Sequence, residues 1–178
     1  WLGGRGIVPY LYAESGYIVV SVDNRGSAGR GFDFESVIHR NLGVNEVKDQ
    51  IEAYNYLRNF TFIDSTKIGV YGWSFGGYMT INMMLSAPSI FKVGVSGDPV
   101  TNWEYYEVMY GERYMDKPEE NIEGYKNSNL TGRVTKLKGR LLVLNSGMDN
   151  IVVSKNSISF IQECIQNNVK VDYFIYPN

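Results

Sequence analysis

The chain has 178 residues, of which 44% are hydrophobic and 20% charged, so it carries enough apolar material for a packed core and is not a disordered segment. Seventeen Lys and Arg against nineteen Asp and Glu give a net charge of -2 with no basic block, which excludes the electrostatic footprint of a nucleic-acid-binding protein. The longest apolar runs, such as Leu141-Leu142-Val143-Leu144, are too short to cross a bilayer, so no membrane contact is expected from this segment. The single cysteine, Cys164, excludes an internal disulfide and a cysteine-rich zinc site, and it is expected to pack in the core.

Short apolar runs alternate with segments that carry apolar residues at helical spacing. Runs rich in β-branched and aromatic residues predict five strands, at residues 17–22, 67–71, 91–96, 140–144 and 171–175. The helical periodicity predicts helices at residues 45–60, with Asn45 as N-cap, and at 75–85, 103–114 and 154–167, whereas residues 119–127 are predicted to be polar and exposed. This alternation predicts βαβ units, so we expect one α/β domain with a mostly parallel sheet and helices on both faces.

A Gly-x-Ser-x-Gly motif lies between a predicted strand and a predicted helix. It reads Gly72-Trp73-Ser74-Phe75-Gly76, and this context is typical of the sharp turn that exposes a nucleophilic serine at the edge of a sheet. The glycines allow the backbone to turn sharply, and the Phe75 N–H at the helix start is expected to face an oxyanion. The alternative is that Ser74 serves only as the helix N-cap.

A serine nucleophile needs a basic group and an acid that orients it, and in this architecture the chain order is serine, acid, histidine. Asp149 follows the predicted strand at 140–144 and is the candidate acid, although aspartate is also a common turn residue. The histidine is expected after the last predicted strand, where the sequence ends at Asn178. The one histidine in the chain, His39, lies upstream in the wrong order and is expected to be a surface or partly buried residue.

Further segments carry a more specific signal. They are residues 23–31, 46–51, 72–78 (Gly-Trp-Ser-Phe-Gly-Gly-Tyr), 99–106 (ending Trp-Glu-Tyr-Tyr) and 110–115. In this order they resemble the catalytic domain of the prolyl oligopeptidase family, specifically its dipeptidyl peptidase IV branch, and the resemblance extends over the whole chain. It implies an α/β-hydrolase fold and a serine-type peptidase that uses neither a metal nor an organic cofactor.

The resemblance also implies roles for individual residues. Ser74 matches the family's nucleophile, and Asp149 matches its acid. A pocket that takes a proline ring is expected from residues that match its walls: Val100, Trp103, Tyr106, Tyr110 and Val152. A flat aromatic cage suits a rigid five-membered ring, although without the resemblance an aromatic-rich segment would be interpreted as core packing.

Two departures from the family pattern leave the contacts to the substrate backbone open. Asn145-Ser146 stands where the family often has His-Gly, and Ile151 stands where it has an Asn that contacts substrate. A tyrosine oxyanion donor, and a β-propeller whose glutamates bind the substrate's amino terminus, are expected upstream of Trp1. Because the chain opens on Trp1 within an apparent loop and ends after a predicted strand, we expect a fragment of one catalytic domain that lacks its histidine and is inactive alone.

The sequence therefore predicts a serine peptidase domain that cleaves after proline or alanine near the amino terminus of peptides, through an acyl-enzyme. The alternatives are a catalytically silent relative that acts as an interaction module, or another α/β-hydrolase such as an esterase or acylaminoacyl peptidase. The expected partner is a peptide substrate. The resemblance also suggests a homodimer, with residues 154–178 as a candidate face, and a periplasmic or secreted location.

Overall fold

The computed structural model describes residues 7–177, and at its centre is a four-stranded sheet in the order β1-β2-β3-β4. All neighbouring strands are parallel. The strands are β1 (Ile68–Trp73), β2 (Phe91–Gly97), β3 (Arg140–Ser146) and β4 (Asp172–Tyr176). The helices are α1 (Ile7–Glu14), α2 (Phe32–Glu35), α3 (Val44–Leu57), α4 (Phe75–Ser86), α5 (Val108–Met115), α6 (Ile122–Ser128) and α7 (Lys155–Gln166), and 3-10 turns cover Ser36–Ile38, Trp103–Tyr105 and Thr131–Lys136. The predicted α/β class is confirmed.

Helix α4 packs directly on β1 and β2 and forms the centre of the core. Several of its large side chains are fully buried, among them Tyr78, Ile81 and Met84. The close approach depends on Gly77, because a Cβ at that position would lie 2.4 Å from the Gly97 carbonyl oxygen in β2. The helix that follows the Gly-x-Ser-x-Gly motif is therefore fixed against the strand next to it.

The four strands predicted from residue 67 onward and three of the helices form where expected, but the predicted N-cap of α3 was wrong. The helix begins at Val44, and its N-cap is Gly43, whose φ of 82° lies in the left-handed region that favours glycine. The Gly43 N–H donates to Glu46 Oε1 at 2.9 Å. Asn45 instead donates its side-chain amide to the Val37 carbonyl at 2.9 Å.

The first of the five predicted strands, residues 17–22, does not form. The segment is exposed and belongs to no β-ladder. A strand is stabilised by a hydrogen-bonded neighbour, and within residues 7–177 no strand lies beside this run. Its last carbonyl, at Val22, accepts a hydrogen bond from the Gln50 side chain at 2.9 Å instead.

Two further expectations needed correction. The predicted helix at residues 103–114 is divided into a 3-10 turn and α5, because Tyr106 between them is extended, with φ -99° and ψ 163°. The segment 119–127 is not simply exposed. It contains most of α6, in which Gly124 and Tyr125 are buried. The alternation of two exposed and two buried positions marks one face of a helix, a period that is hard to recognise in only seven residues.

The structure also bears on the expectations drawn from composition. Cys164 is a free thiol with no exposed surface, as predicted for a core residue. Residues 7–177 include no helix that is both long and apolar enough to span a bilayer.

Replacing Leu141 by alanine should destabilise the protein by about 2–5 kcal/mol, because this β3 side chain is fully buried and its removal leaves a cavity. The control is Ile165→Ala on α7, where the side chain is 70% exposed and the expected change is within about 0.5 kcal/mol. Urea unfolding of both variants measures the difference. Equal effects would contradict the assignment of β3 to the core.

Candidate active site

The candidate site lies where the carboxyl ends of the parallel strands meet, the edge at which open α/β sheets bind ligands. Ser74 directly follows β1, Asp98 directly follows β2, and Asp149 follows β3 by three residues. The register pairs Trp73 with Gly97 and Gly97 with Leu144, so the three strands end at the same level. Two of the predicted site residues, Ser74 and Asp149, are thereby brought to one edge.

Ser74 sits in a strained backbone turn. Its φ of 58° lies in the left-handed region, which a residue with a Cβ adopts only when the surroundings enforce it. Two contacts enforce it here: the Ser74 N–H donates to the Gly97 carbonyl at 2.9 Å, and its own carbonyl accepts the Tyr78 N–H at 3.0 Å. Gly72 gives the chain room, because a Cβ there would lie 2.3 Å from the Gly76 carbonyl oxygen.

The Ser74 hydroxyl is not used to cap the helix. Ser74 occupies the N-cap position of α4, but its side chain makes no capping hydrogen bond, which counts against the alternative that it is only a cap. The neighbouring Phe75 is the first residue of α4, and the first N–H groups of a helix have no partner within the helix. A half-buried hydroxyl therefore stands beside unpaired donors and the positive end of the helix dipole.

Asp149 is half-buried in the loop between β3 and α7, which we call the acid loop (residues 146–152). Its Oδ1 accepts the backbone N–H groups of Ile151 at 2.8 Å and Val152 at 3.0 Å, and its own N–H donates to the Ser146 carbonyl at 3.1 Å. Within residues 7–177, Oδ2 has no hydrogen-bond partner. The carboxylate thus closes its own turn with one oxygen and keeps the other available for an imidazole N–H.

The predicted pocket residues contribute to an aromatic cluster beside the turn. Trp103 and Tyr110 are stacked, with centroids 5.5 Å apart and an interplanar angle of 12°, and Tyr106 stands edge-on to both. Phe75 joins the cluster through Trp103 at 6.0 Å. The cluster consists of Phe75, Tyr78, Trp103, Tyr106 and Tyr110. Because Phe75 follows Ser74 in the chain, the candidate nucleophile adjoins the aromatic surface.

The predicted pocket residues differ in exposure, and this difference distinguishes side chains that could contact a ligand from buried side chains that support them. Tyr106 and Tyr110 are only half-buried, whereas Trp103, Val100 and Val152 are 2%, 1% and 3% exposed. The fully buried side chains therefore support the cluster and belong equally to the hydrophobic core. Of the predicted pocket residues, only Tyr106 and Tyr110 present substantial surface to a ligand.

The pKa values of the two tyrosines reflect this position. Burial raises the pKa of Tyr110 to about 12. Burial also raises the pKa of Tyr106, and the negative charges of Glu107 and Asp149 add to the shift. The Asp149 carboxylate is thus close enough to the tyrosine wall to act on it electrostatically.

His39 is not placed as the histidine of a catalytic triad would be. Its side chain is 50% exposed, and Nε2 lies 3.1 Å from Asp116 Oδ1, just past the end of α5. It is a surface residue, as the sequence predicted. Residues 7–177 contain no group of three or more His, Cys, Asp or Glu side chains arranged to hold a metal ion.

Two contributors were not identified from the sequence. Asn156 on α7 is fully buried, and its Oδ1 accepts the backbone N–H groups of Thr101 at 3.0 Å and Asn102 at 3.2 Å, which holds the chain that leads to Trp103. Asp98 is 2% exposed and binds the start of the acid loop. An acidic residue two positions after a predicted strand is the one available signal for Asp98, and nothing local indicates its partners.

The parallel sheet and the glycine-flanked serine turn define an α/β-hydrolase. Comparison with known proteins agrees: residues 6–178 match the sequence profile of the prolyl oligopeptidase family. The chain belongs to the prolyl oligopeptidase family.

Several relatives illustrate the similarity. The chain is 36% identical over 169 residues to dipeptidyl peptidase 8 of Mus musculus, covering 93% of this chain and 19% of that protein. It is 35% identical over 169 residues to prolyl endopeptidase FAP of Mus musculus, covering 93% of this chain and 22% of that protein. The crystal structure of a putative dipeptidyl aminopeptidase IV from Bacteroides ovatus superimposes with a TM-score of 0.85 at 50% identity, over 86% of this chain and 22% of that one. The chain thus spans about a fifth of the length of these proteins.

Gly72→Ala should reduce the reactivity of Ser74 by at least about 100-fold, because its Cβ would clash with the backbone of Gly76 and displace the Ser74 hydroxyl. The matched control is Gly76→Ala in the same motif, where a Cβ meets nothing within 4 Å and the helix gains from alanine. The measurement is the rate of covalent labelling by a fluorophosphonate in the full-length protein. Similar rates in both variants would argue against the strained turn.

Proposed function

We propose that the chain is the catalytic part of a serine peptidase that cleaves after proline or alanine near the amino terminus of peptides, in the manner of a dipeptidyl peptidase. The observation that carries the proposal is the unused Ser74 hydroxyl, held beside the aromatic cluster through Phe75. An aromatic surface next to a nucleophile favours an apolar residue at the cleaved bond. The chemistry needs no metal or organic cofactor.

In the proposed reaction, Ser74 Oγ attacks the carbonyl carbon of the scissile peptide while a histidine takes its proton. The histidine is expected in the chain that follows Asn178, beyond β4. Its imidazolium then protonates the leaving amine, the C–N bond breaks and an acyl-enzyme remains. Water, activated by the same histidine, releases the acyl group and restores the Ser74 hydroxyl.

Asp149 is proposed to hold the histidine in the correct tautomer. Its free Oδ2 is the acceptor for the imidazole N–H, and its Oδ1 is held by the backbone of Ile151 and Val152. A carboxylate fixed in this way stabilises the imidazolium that forms during attack. The turn contacts and the proposed catalytic role therefore use different oxygens of one side chain.

The tetrahedral oxyanion is proposed to bind the Phe75 N–H at the start of α4. A donor of this kind contributes about 3–4 kcal/mol to transition-state stability, and the helix dipole adds a favourable partial charge. The Phe75 ring packs against Trp103 at 6.0 Å. One residue therefore supports the oxyanion with its backbone and the pocket with its side chain.

The proline ring of the substrate is proposed to rest against Tyr106 and Tyr110, with Trp103, Val100 and Val152 behind them. The edge-on geometry of the two tyrosines, 5.3 Å apart at 89°, forms a corner rather than a flat surface. A compact ring buries more of its surface in a corner than on a plane. An extended side chain would not fit as well, so proline and alanine are the expected residues.

A prolyl endopeptidase is the second candidate, favoured by the 35% identity to prolyl endopeptidase FAP. Exopeptidase activity would require a group that binds the free amino terminus of the substrate. We propose that this group lies outside the chain, in an upstream β-propeller domain. The two candidates share Ser74, Asp149 and the pocket, and they differ only in what binds the amino terminus.

The full-length protein should release a chromophore from a free-amino Xaa-Pro conjugate and not from its N-blocked counterpart. Ser74→Ala should reduce turnover by at least about 10,000-fold, because the nucleophile is removed. Ser89→Ala, an exposed serine between α4 and β2, is the matched control and should retain full activity.

Equal turnover of free and blocked substrates would favour the endopeptidase. Turnover of neither substrate by folded protein would refute the proline-peptidase proposal and leave an esterase or a silent interaction module. Hydrolysis that persists in Ser74→Ala would place the nucleophile elsewhere.

Tyr110→Ala should lower kcat/KM for the proline substrate by about 10- to 100-fold, through the loss of apolar contact with the ring. Tyr110→Phe keeps the stacking on Trp103 and should stay close to the wild type. Steady-state kinetics with matched Xaa-Pro and Xaa-Ala substrates measure both. If alanine and phenylalanine cause equal losses, the hydroxyl rather than the ring is responsible.

A further inference from the structure

A buried carboxylate lies at the carboxyl end of β2, between the strained turn at Ser74 and the acid loop. Asp98 is the first residue after β2, is 2% exposed and has a φ of 38°, in the left-handed region. Its N–H donates to the Leu144 carbonyl in β3 at 2.8 Å. An aspartate in this conformation is held by its surroundings at an energetic cost, so its side-chain contacts are informative.

The carboxylate binds the residues that end β3. Oδ1 accepts the Ser146 N–H at 2.6 Å and the Asn145 side-chain amide at 3.2 Å, and Oδ2 accepts the Ser146 hydroxyl at 2.7 Å. The Tyr173 hydroxyl of β4 in turn donates to Asn145 Oδ1 at 3.0 Å. We call these four residues, Asp98, Asn145, Ser146 and Tyr173, the Asp98 cluster. It joins three neighbouring strands at the edge that carries the candidate site.

The Asp98 carboxylate has no cationic partner among the residues that the structure describes. Within residues 7–177, none of the ion pairs includes Asp98. Burying an unpaired carboxylate is costly unless hydrogen bonds compensate, and here three donors from two residues do so. Apolar residues would fill the same space without this cost, so the arrangement indicates a requirement for geometry.

Gly97 and Asp98, at the carboxyl end of β2, connect both predicted catalytic residues. Gly97 accepts the Ser74 N–H at 2.9 Å, and the next residue, Asp98, holds Ser146 by its N–H and hydroxyl. The Ser146 carbonyl then accepts the Asp149 N–H at 3.1 Å. An unbroken path of short hydrogen bonds and one peptide link thus runs from the serine turn to the candidate acid.

We propose that Asp98 is a positioning residue, which fixes the start of the acid loop through Ser146 and thereby sets the Asp149 carboxylate in register with Ser74. The inference rests on the proposed function, because it assumes that Ser74 and Asp149 act together. Displacing a catalytic group by about 1 Å can reduce the rate about 100-fold, so an anchor of this kind affects turnover more than substrate binding.

The test compares Asp98→Ala and Asp98→Asn in the full-length protein. A fluorophosphonate titrates the reactive serine, and the measurements are kcat per titrated serine, KM, and the rate of labelling by the fluorophosphonate. Asp98→Ala should lower kcat and the labelling rate by about 30- to 300-fold with little change in KM. Asp98→Asn should recover most of the loss, because its carbonyl oxygen can accept from Ser146 N–H while its amide donates to the Ser146 hydroxyl. A role through charge alone predicts equal losses in both variants and would overturn the proposal.

The control is Asn121→Ala, which removes a buried side chain with three hydrogen bonds, to Arg40, Met115 and Gly124, none of them in the Asp98 cluster. It should lower thermal stability and leave kcat per titrated serine unchanged. If Asp98→Ala behaves like this control, Asp98 is merely structural and the proposal fails.

If Asp98→Ala does not fold, Ser146→Ala provides the test, since it removes only the 2.7 Å hydrogen bond to Oδ2. It should lower kcat and the labelling rate by a smaller factor, and no loss in either would overturn the proposal. The labelling rate also separates the two hypotheses. A wild type that is labelled but does not cleave proline substrates refutes only the proposed specificity, whereas a wild type that is not labelled refutes both.

Discussion

The strained backbone of Ser74 is the constraint on which the rest of the site depends. A non-glycine residue in a rare backbone region costs about 1–3 kcal/mol, and the neighbours must hold it there. Gly72 makes room for the turn, Gly77 brings α4 against β2, and the Gly97 carbonyl binds the Ser74 N–H. The turn is therefore specified by the packing of α4 on two strands. The other parts of the candidate site at this edge are positioned relative to β2.

The segment that follows β2 connects the parts of the site. Its first residue, Asp98, binds the acid loop, and its middle, Thr101 and Asn102, is bound by Asn156 of α7. Its end carries Trp103 into the aromatic cluster. A surface loop could not hold such positions by itself, but backbone N–H groups paired with buried side chains give this one the rigidity of an extended core element.

The sequence predicted the features that depend on local patterns. The glycines around Ser74, the apolar runs of the four observed strands and the position of Asp149 after a strand were sufficient to predict the fold class and to select Ser74 and Asp149, whereas the pocket residues were predicted from the resemblance to the family. The strand predicted at residues 17–22 was wrong because a β-branched run shows only strand propensity. A strand also requires a hydrogen-bonded neighbour, which the local sequence does not encode. The single helix predicted at residues 103–114 was wrong because two extended residues, Tyr106 and Glu107, interrupt an otherwise helical pattern.

The parts that sequence reasoning missed are hydrogen bonds between distant segments. Asp98 and Ser146 are 48 positions apart, and Asn156 and Thr101 are 55 apart, so no motif spacing links them. The sequence shows that Asn145-Ser146 departs from the family pattern, but it connects this departure only with the contacts to the substrate backbone. In the structure the hydroxyl and N–H of Ser146 satisfy Asp98, and the Asn145 amide does the same.

The two anchors of the segment after β2 support different parts of the proposed reaction. The Asp98 carboxylate binds Asn145 and Ser146 at the start of the acid loop, whereas Asn156 binds the backbone that leads to the aromatic cluster. One end of the segment is therefore tied to the predicted chemistry and the other to the predicted binding surface. Because the side chains of Asp98 and Asn156 share no hydrogen-bond partner in the described part of the chain, their effects should be separable, with Asp98 acting on turnover and Asn156 on substrate affinity. A single short segment can in this way keep the candidate nucleophile, the candidate acid and the candidate pocket in fixed relation while each depends on its own set of hydrogen bonds.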